Sequence, residues 1–214
     1  MTIIVDSSDR TNYSDLVRDV RRLAPMLVEP LVLPIIAEVA REFCRKSSCW
    51  RTRRLTLLTT QAGVQTYSYT DLPSDADLYR VNSAWCDGDE VPVLQPGQED
   101  AAEEGSQSDD LRIGVAGPSD FLLSPAPLTS GRVITGGITV IPKLSATSMP
   151  TALVDQYRVG IAYGVLAKMA LEADKPWGRL NMAPVYQGEY DMAIARASND
   201  AGPIRPQPLR VTPY

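Results

Sequence analysis

Thr151-Ala-Leu-Val-Asp-Gln-Tyr-Arg-Val-Gly-Ile-Ala-Tyr-Gly-Val-Leu-Ala-Lys-Met-Ala-Leu-Glu-Ala173 decides the fold class. Val154, Tyr157, Ile161, Ala162, Val165, Met169 and Leu171 recur at helical spacing, and Gly160, Gly164 and the alanines let another helix come close. Asp174-Lys-Pro-Trp-Gly178 then breaks the pattern, and a second helix is predicted over about Asn181–Ala197. Asn181 suits its cap, Pro184 its first turn, and Gly202-Pro203 its end.

Upstream, Leu16, Val17, Val20, Leu23 and Ala24 predict a helix that Ser14 starts and Pro25 stops. Leu31, Val32, Ile35, Ile36, Val39, Ala40 and Phe43 predict another; Pro30 and Pro34 fall near its start, where a missing N–H costs least. From Arg51 the period shortens to that of strands. Leu55–Thr60, Gly63–Tyr69 and Leu78–Cys86 alternate, the last placing Tyr79, Val81 and Trp85 on one face. Asp87-Gly88 reads as a hairpin turn, and Gly136-Gly137 as a second one. Asp120–Ser124 and Gly137–Ile141 are further strands. Gln98–Asp110 holds six acids among Gly, Ser, Gln and Ala, too little apolar surface to offset its ordering, and is predicted to be a mobile loop.

The expected fold is therefore mainly α with a β insertion (α+β): a helical bundle, a small antiparallel β lobe and an extended C-terminal tail. Residues 1–50 and 151–202 supply the bundle, 51–150 the β-rich lobe with its acidic loop at 98–110, and 203–214 the tail.

Composition removes most chemistry. No histidine occurs, which deletes the commonest general base, the commonest metal ligand and every Ser-His or Cys-His pair. Cys44, Cys49 and Cys86 are too few for a zinc site without histidine and suggest neither a disulfide framework nor an oxidising compartment. Gly114-Val-Ala-Gly-Pro118 matches no phosphate-cradling loop. No catalytic, cofactor or metal residue is therefore assigned. A carboxylate-dependent hydrolase using Asp75, Asp77, Asp87 and Asp89 is the enzymatic alternative, but these acids sit in turn-like sequence. A net charge of −5 argues against a chain that clings to phosphates. The first residues lack a signal peptide's basic lead, and no apolar run approaches the ~20 residues that span a bilayer, so no membrane partner is expected and synthesis in a host cytoplasm is.

Two segments point to partners. Trp50-Arg51-Thr52-Arg53-Arg54 is a basic-aromatic cluster; it reads as a contact for a partner or neighbouring subunit, or as a helix end with Trp50 wedged into the core. Trp177, in the break between the last helices, is a further contact candidate. The tail, Pro203-Ile-Arg-Pro-Gln-Pro-Leu-Arg-Val-Thr-Pro-Tyr214, has four prolines, so it is stiff and extended. Its Ile204, Arg205, Pro206, Pro208, Leu209, Arg210, Val211 and Tyr214 suit groove binding or strand addition; a frayed terminus is the plainer reading.

Three stretches carry a resemblance: Leu33–Cys44 running into Ser48-Cys-Trp-Arg51; Leu57–Tyr69 with Gly63-Val-Gln-Thr-Tyr67, then Leu72-Pro-Ser-Asp-Ala76 and Leu78-Tyr-Arg-Val81; and Ala162-Tyr-Gly-Val-Leu-Ala-Lys-Met169 with Lys175-Pro-Trp177 and Tyr186-Gln-Gly-Glu-Tyr190. In these the chain resembles the head-to-tail adaptor (connector, head-completion) proteins of tailed bacteriophages. The resemblance implies a structural, non-enzymatic protein of the virion neck. It implies a ring, typically twelve-fold, beneath the portal, with tail, stopper or nozzle proteins below and a channel that passes DNA without sequence-specific binding. It implies that the C-terminal segment docks on the portal. The small-residue helix 151–173 is the candidate for lateral packing in such a ring. Another virion component, of the tail tube or stopper, is the alternative.

Overall fold

A computed structural model describes residues 9–94, 108 and 110–202. Most of the acidic loop and the whole tail 203–214 lie outside the described residues.

The chain starts with a short strand, β1 (Arg10–Asn12), then α1 (Tyr13–Leu23) and α2 (Glu29–Ser47). Asn12 occupies the N-cap of α1, two residues before the expected Ser14, and Pro25 falls just past its end. Pro30 lies in the first turn of α2, and Ser48 closes that helix in the left-handed conformation (φ 52°). Strands β2 (Arg51–Thr59), β3 (Thr66–Ser68), β4 (Ala76–Cys86), β5 (Asp89–Val91), β6 (Arg112–Val115), β7 (Asp120–Ser124), β8 (Val133–Pro142) and β9 (Ser148–Pro150) follow. The chain returns through α3 (Thr151–Ala170) and α4 (Ala183–Ala201). The strands form three antiparallel sheets, ordered β2-β8-β4-β5, β3-β7-β6 and β1-β9.

This overturns the helical bundle with a small β lobe. The fold is α+β with a substantial sheet, and one continuous core joins all four helices to the strands. The reason lies in β8. Every residue from Gly136 to Pro142 is buried, whereas a strand of a small solvated lobe would alternate. β8 is one of the two inner strands of its sheet, with α2 packed on it.

Gly136-Gly137 is likewise not a turn. A Cβ on Gly136 would lie 2.2 Å from the Ser83 carbonyl oxygen, so glycine is there to let β4 come close. Asp87-Gly88 does turn β4 into β5, with positive φ at both residues as a type I′ hairpin needs. The predicted shared face of Tyr79, Val81 and Trp85 is broken by register shifts between Leu78 and Arg80 and between Val81 and Ser83. They turn Val81 inward and leave Trp85 on the outer face.

The small residues of α3 are used inside the subunit. At Gly160 a Cβ would meet the Ala193 methyl at 2.4 Å; at Gly164 it would meet the Tyr190 ring and Val39 at 2.7 Å. α3 is buried on nearly all sides, between α1, α2 and α4, so this helix is not the free lateral surface expected of it.

Candidate interaction site

Three long helices define two ends of the molecule. Phe43 packs against Tyr157 with tilted rings, Val39 faces Gly164, and Lys168 pairs with Glu38 and Glu42 (3.3 Å each), so α2 runs antiparallel to α3. Tyr157 donates to Asp200 (3.1 Å) and Tyr163 stacks on Tyr186, so α4 also runs antiparallel to α3. The C-termini of α2 and α4 therefore share one end, and their N-termini the other. With 19 residues in α4, the ends are ~28 Å apart at 1.5 Å per residue.

The C-terminal end is where the tail leaves. Arg51 is almost fully buried there. Its Nη1 donates to the carbonyls of Ala201 and Gly202 (3.0 Å each) and its Nε to the carbonyl of Ser48 (2.8 Å). These carbonyls are among those that a helix end leaves without partners, and a charged donor satisfies them while opposing the negative pole of α4. Arg51 thus fixes the last residue before Pro203. Arg80 donates from Nη2 to Ser48 Oγ (2.8 Å). Arg45, Lys46, Arg51, Arg80, Ser198 and Gly202 line an open groove of about 590 Å³ at this end. Trp50 has no exposed surface and lies under the Arg10 guanidinium, 5.4 Å from its ring centre. The core alternative describes where Trp50 sits. The side chains of Arg53 and Arg54 lie outside the described residues.

The opposite end is apolar. The α1–α2 turn exposes Leu23, Met26, Val28 and Leu31, and the α3–α4 turn exposes Leu171, Leu180 and Val185. Trp177 sits between them, half-buried, with its Nε1 donating to Glu172 (3.0 Å). Leu23, Pro25, Leu27, Met169, Trp177 and Tyr186 surround a cavity of about 30 Å³ that joins the two turns. Seven large exposed apolar side chains at one corner are more than scattered surface residues usually supply. Of the corner residues, the sequence marks Trp177 alone as a contact; Leu23, Leu31 and Leu171, placed there in the apolar faces of helices, are exposed. Trp50 and Arg51 stand at one end of the helices and Trp177 at the other, so the structure does not bring them together.

The carboxylates of the hydrolase alternative are dispersed. Asp75 pairs with Arg10, Asp77 with Arg41 (2.6 Å) and Asp87 with Arg132 (3.0 Å). Asp75 and Asp77 line different grooves. Asp77 and Asp87 stand at opposite ends of β4, ~30 Å apart at strand rise, far beyond the ~5–10 Å that glycoside hydrolysis requires. Cys44, Cys49 and Cys86 are free and buried. The hydrogen bond that the Cys44 thiol donates to Cys49, together with burial, pushes the Cys44 thiol up. Among the described residues no group of three or more Cys, Asp or Glu is placed to hold a metal ion, and no helix is long and apolar enough to cross a membrane.

The sequence-assigned docking residues Ile204, Arg205, Pro206, Pro208, Leu209, Arg210, Val211 and Tyr214 lie outside the described residues. No curated protein matches the chain. A family pattern does, and it runs through both ends of the helical layer and on into the tail as far as Val211. Matched by the SU10 adaptor protein family over residues 11–211, the chain belongs to that family, which bears out its resemblance to phage head-to-tail adaptors.

Proposed function

We propose that the protein is a ring-forming adaptor of the virion neck that docks on the portal through residues 203–214. The observation that carries this reading is the extent of the family match. It passes beyond Gly202, where the described helices end, and continues to Val211. A frayed terminus has no reason to share a pattern with relatives. Stiff Pro-rich segments lose little entropy when they seat in a groove, and Arg205 and Arg210 would pair with acids while Ile204, Leu209 and Tyr214 fill pockets. The Arg51 clamp supports the same reading, because it fixes the point from which the tail departs.

The other parts of the reading follow from shape and charge. Subunits of a closed ring present different surfaces on their two flanks, and the apolar corner around Trp177 suits a contact with a neighbouring subunit or with the tail, stopper or nozzle proteins below. A net charge of −5 suits a channel wall that passes DNA without gripping it. No step of this role makes or breaks a covalent bond.

The decisive experiment deletes residues 203–214 and mixes the product with purified portal. Loss of co-sedimentation with the portal is expected. Undiminished binding removes the docking role of the tail. Electron microscopy of intact particles tests the location: density for the subunit directly beneath the portal is expected, and density only further down the tail places it among tube or stopper components instead.

A further inference from the structure

The apolar corner needs cover in the unassembled subunit. Met26 is 67% exposed, Leu171 64%, Leu180 56% and Val185 54%, and Met192, 60% exposed, extends the apolar surface along the outer side of α4. Such a surface promotes self-association in a protein that must wait for its partner. The chain carries one segment of fitting length and chemistry. Twelve residues follow Gly202. As a polyproline helix they span ~37 Å at 3.1 Å per residue, against ~28 Å for the length of α4.

We infer that in the free subunit the tail turns back at Gly202 and lies along α4, covering Met192, Val185 and the corner with its own Leu209, Val211 and Tyr214. Gly202 is suited to that reversal, since its φ is 70° and its ψ 178°, a combination essentially confined to glycine. Spacing then sets the register. Leu209 lies ~22 Å from Gly202 along an extended tail and Val211 ~28 Å. Met192 lies ~15 Å back along the helix and Val185 ~26 Å. Leu209 therefore falls between those two side chains, Val211 beside Val185, and Tyr214 at Leu180 and Trp177. Charge agrees with this path. Glu172, Asp174, Glu189 and Asp191 are exposed along it against Lys175, Arg179 and Arg196; the acids gather toward the corner, where Arg210 would lie, and Arg196 faces Asp200 at 4.0 Å. Tethering adds to it, because a short linker holds the tail at an effective concentration on the order of millimolar. The inference rests on reading 203–214 as a docking segment. It adds that portal and corner compete for the same residues, so capture of the tail by the portal uncovers the corner when a neighbouring subunit is at hand.

The test is disulfide trapping in the full-length chain, whose native thiols are all buried. Tyr214→Cys combined with Leu180→Cys is oxidised at low micromolar concentration and weighed by mass spectrometry. The expected product is a monomer with an internal disulfide joining positions 180 and 214 in most molecules, at a yield independent of concentration. Tyr214→Cys with Leu128→Cys, an exposed position on the sheet side, should link at least tenfold less. Equal linking at both positions shows a tail that wanders, and disulfide dimers show a tail seated on a second copy; either overturns the inference, as does no linking at all. A second readout uses the full chain with Leu209→Ser, Val211→Ser and Tyr214→Ser. Binding of a dye that lights up on apolar surface should rise several-fold, and unchanged binding is equally fatal. Portal co-sedimentation of the unmodified chain is measured separately. Portal binding that needs the tail, without internal linking, leaves the adaptor reading intact and removes only this one.

Discussion

Replacing Gly164 by alanine should destabilise the subunit, while the same replacement at Gly188 should stabilise it. Both glycines lie inside helices, where alanine is intrinsically favoured by ~1 kcal/mol. Their surroundings differ. At Gly188 an added Cβ meets nothing within 4 Å, so the propensity gain stands alone. At Gly164 it would lie 2.7 Å from Cδ2 and Cε2 of Tyr190 and from Cγ1 of Val39, against the ~3.5–4.0 Å of ordinary carbon contacts. None of these atoms can swing aside. Tyr190 is buried, its ring packs near Phe43, and its hydroxyl donates to the carbonyl of Val39 (3.2 Å). Overfilling a packed site costs ~1–3 kcal/mol, and three contacts at 2.7 Å put this site at ~2–3 kcal/mol, so after the ~1 kcal/mol propensity gain Gly164→Ala should lose a net ~1–2 kcal/mol. In a chain of this size each kcal/mol moves the midpoint by ~2–4 °C. Thermal and urea unfolding of the purified subunit should therefore show Gly164→Ala ~2–8 °C below the wild type and Gly188→Ala ~2–4 °C above it. A Gly164→Ala variant as stable as the parent would show that α2, α3 and α4 are not packed as closely as these contacts state.

Three further outcomes are expected. Arg51→Met should lower stability by ~3 kcal/mol, because three backbone carbonyls lose a charged donor at once; a loss under ~1 kcal/mol would mean that water replaces the guanidinium without penalty. Partial burial works to raise the Glu42 pKa, but Lys46 and Lys168 outweigh it and hold the carboxyl below its ordinary range. Its stabilising effect is thus present above the unfolded-state pKa and disappears as pH falls through the lower folded value. Unfolding midpoints measured from pH 6 down to about pH 3 should fall less steeply in Glu42→Gln than in the wild type, and parallel curves would remove Glu42 from the account. The three cysteines should react with an aromatic disulfide reagent far more slowly in the native subunit than in denaturant, since burial both shields the sulfurs and, at Cys44 and Cys86, disfavours the thiolate. Rapid native labelling of any one of them would contradict its placement.

What the sequence made legible is what local chemistry controls. The four helices follow from apolar spacing with prolines at most of their edges, although Pro34, expected near the start of α2, lies inside it, and the Asp87-Gly88 turn follows from the two positive φ values that only such residues accept readily. The sheet was harder. Alternation predicts a face only while the register holds, and the two bulges of β4 reverse it inside a single strand. Gly136-Gly137 looked like a turn because glycine pairs usually are; its actual reason is the Ser83 carbonyl of a strand some fifty positions earlier, which no local window contains. The same limit hid the apolar corner. Met26 and Leu180 are ordinary one at a time, and they become a surface only when α1 and α4 have been brought to the same end of α3.

Arg51 and the glycines of α3 carry a shared lesson about residue type and destination. A run of arginines after a helix reads as a surface for anions, yet the one best defined here turns inward, because the carbonyls of Ala201 and Gly202 at the end of α4 are acceptors without a helix partner, that of Ala201 buried. Gly160 and Gly164 read as an invitation to another helix, and the invitation is taken up within the subunit by Ala193, Tyr190 and Val39. Both features are spent on joining the last helix to the body. The segment beyond Gly202 therefore starts from a point fixed to the body of the subunit, so on the proposed docking role a partner that seats residues 203–214 would set the position of the whole body. That is the mechanical property an adaptor needs if one segment is to set where the whole body sits. It also explains why the pattern shared with the SU10 adaptor family spans the tail together with the core that holds it.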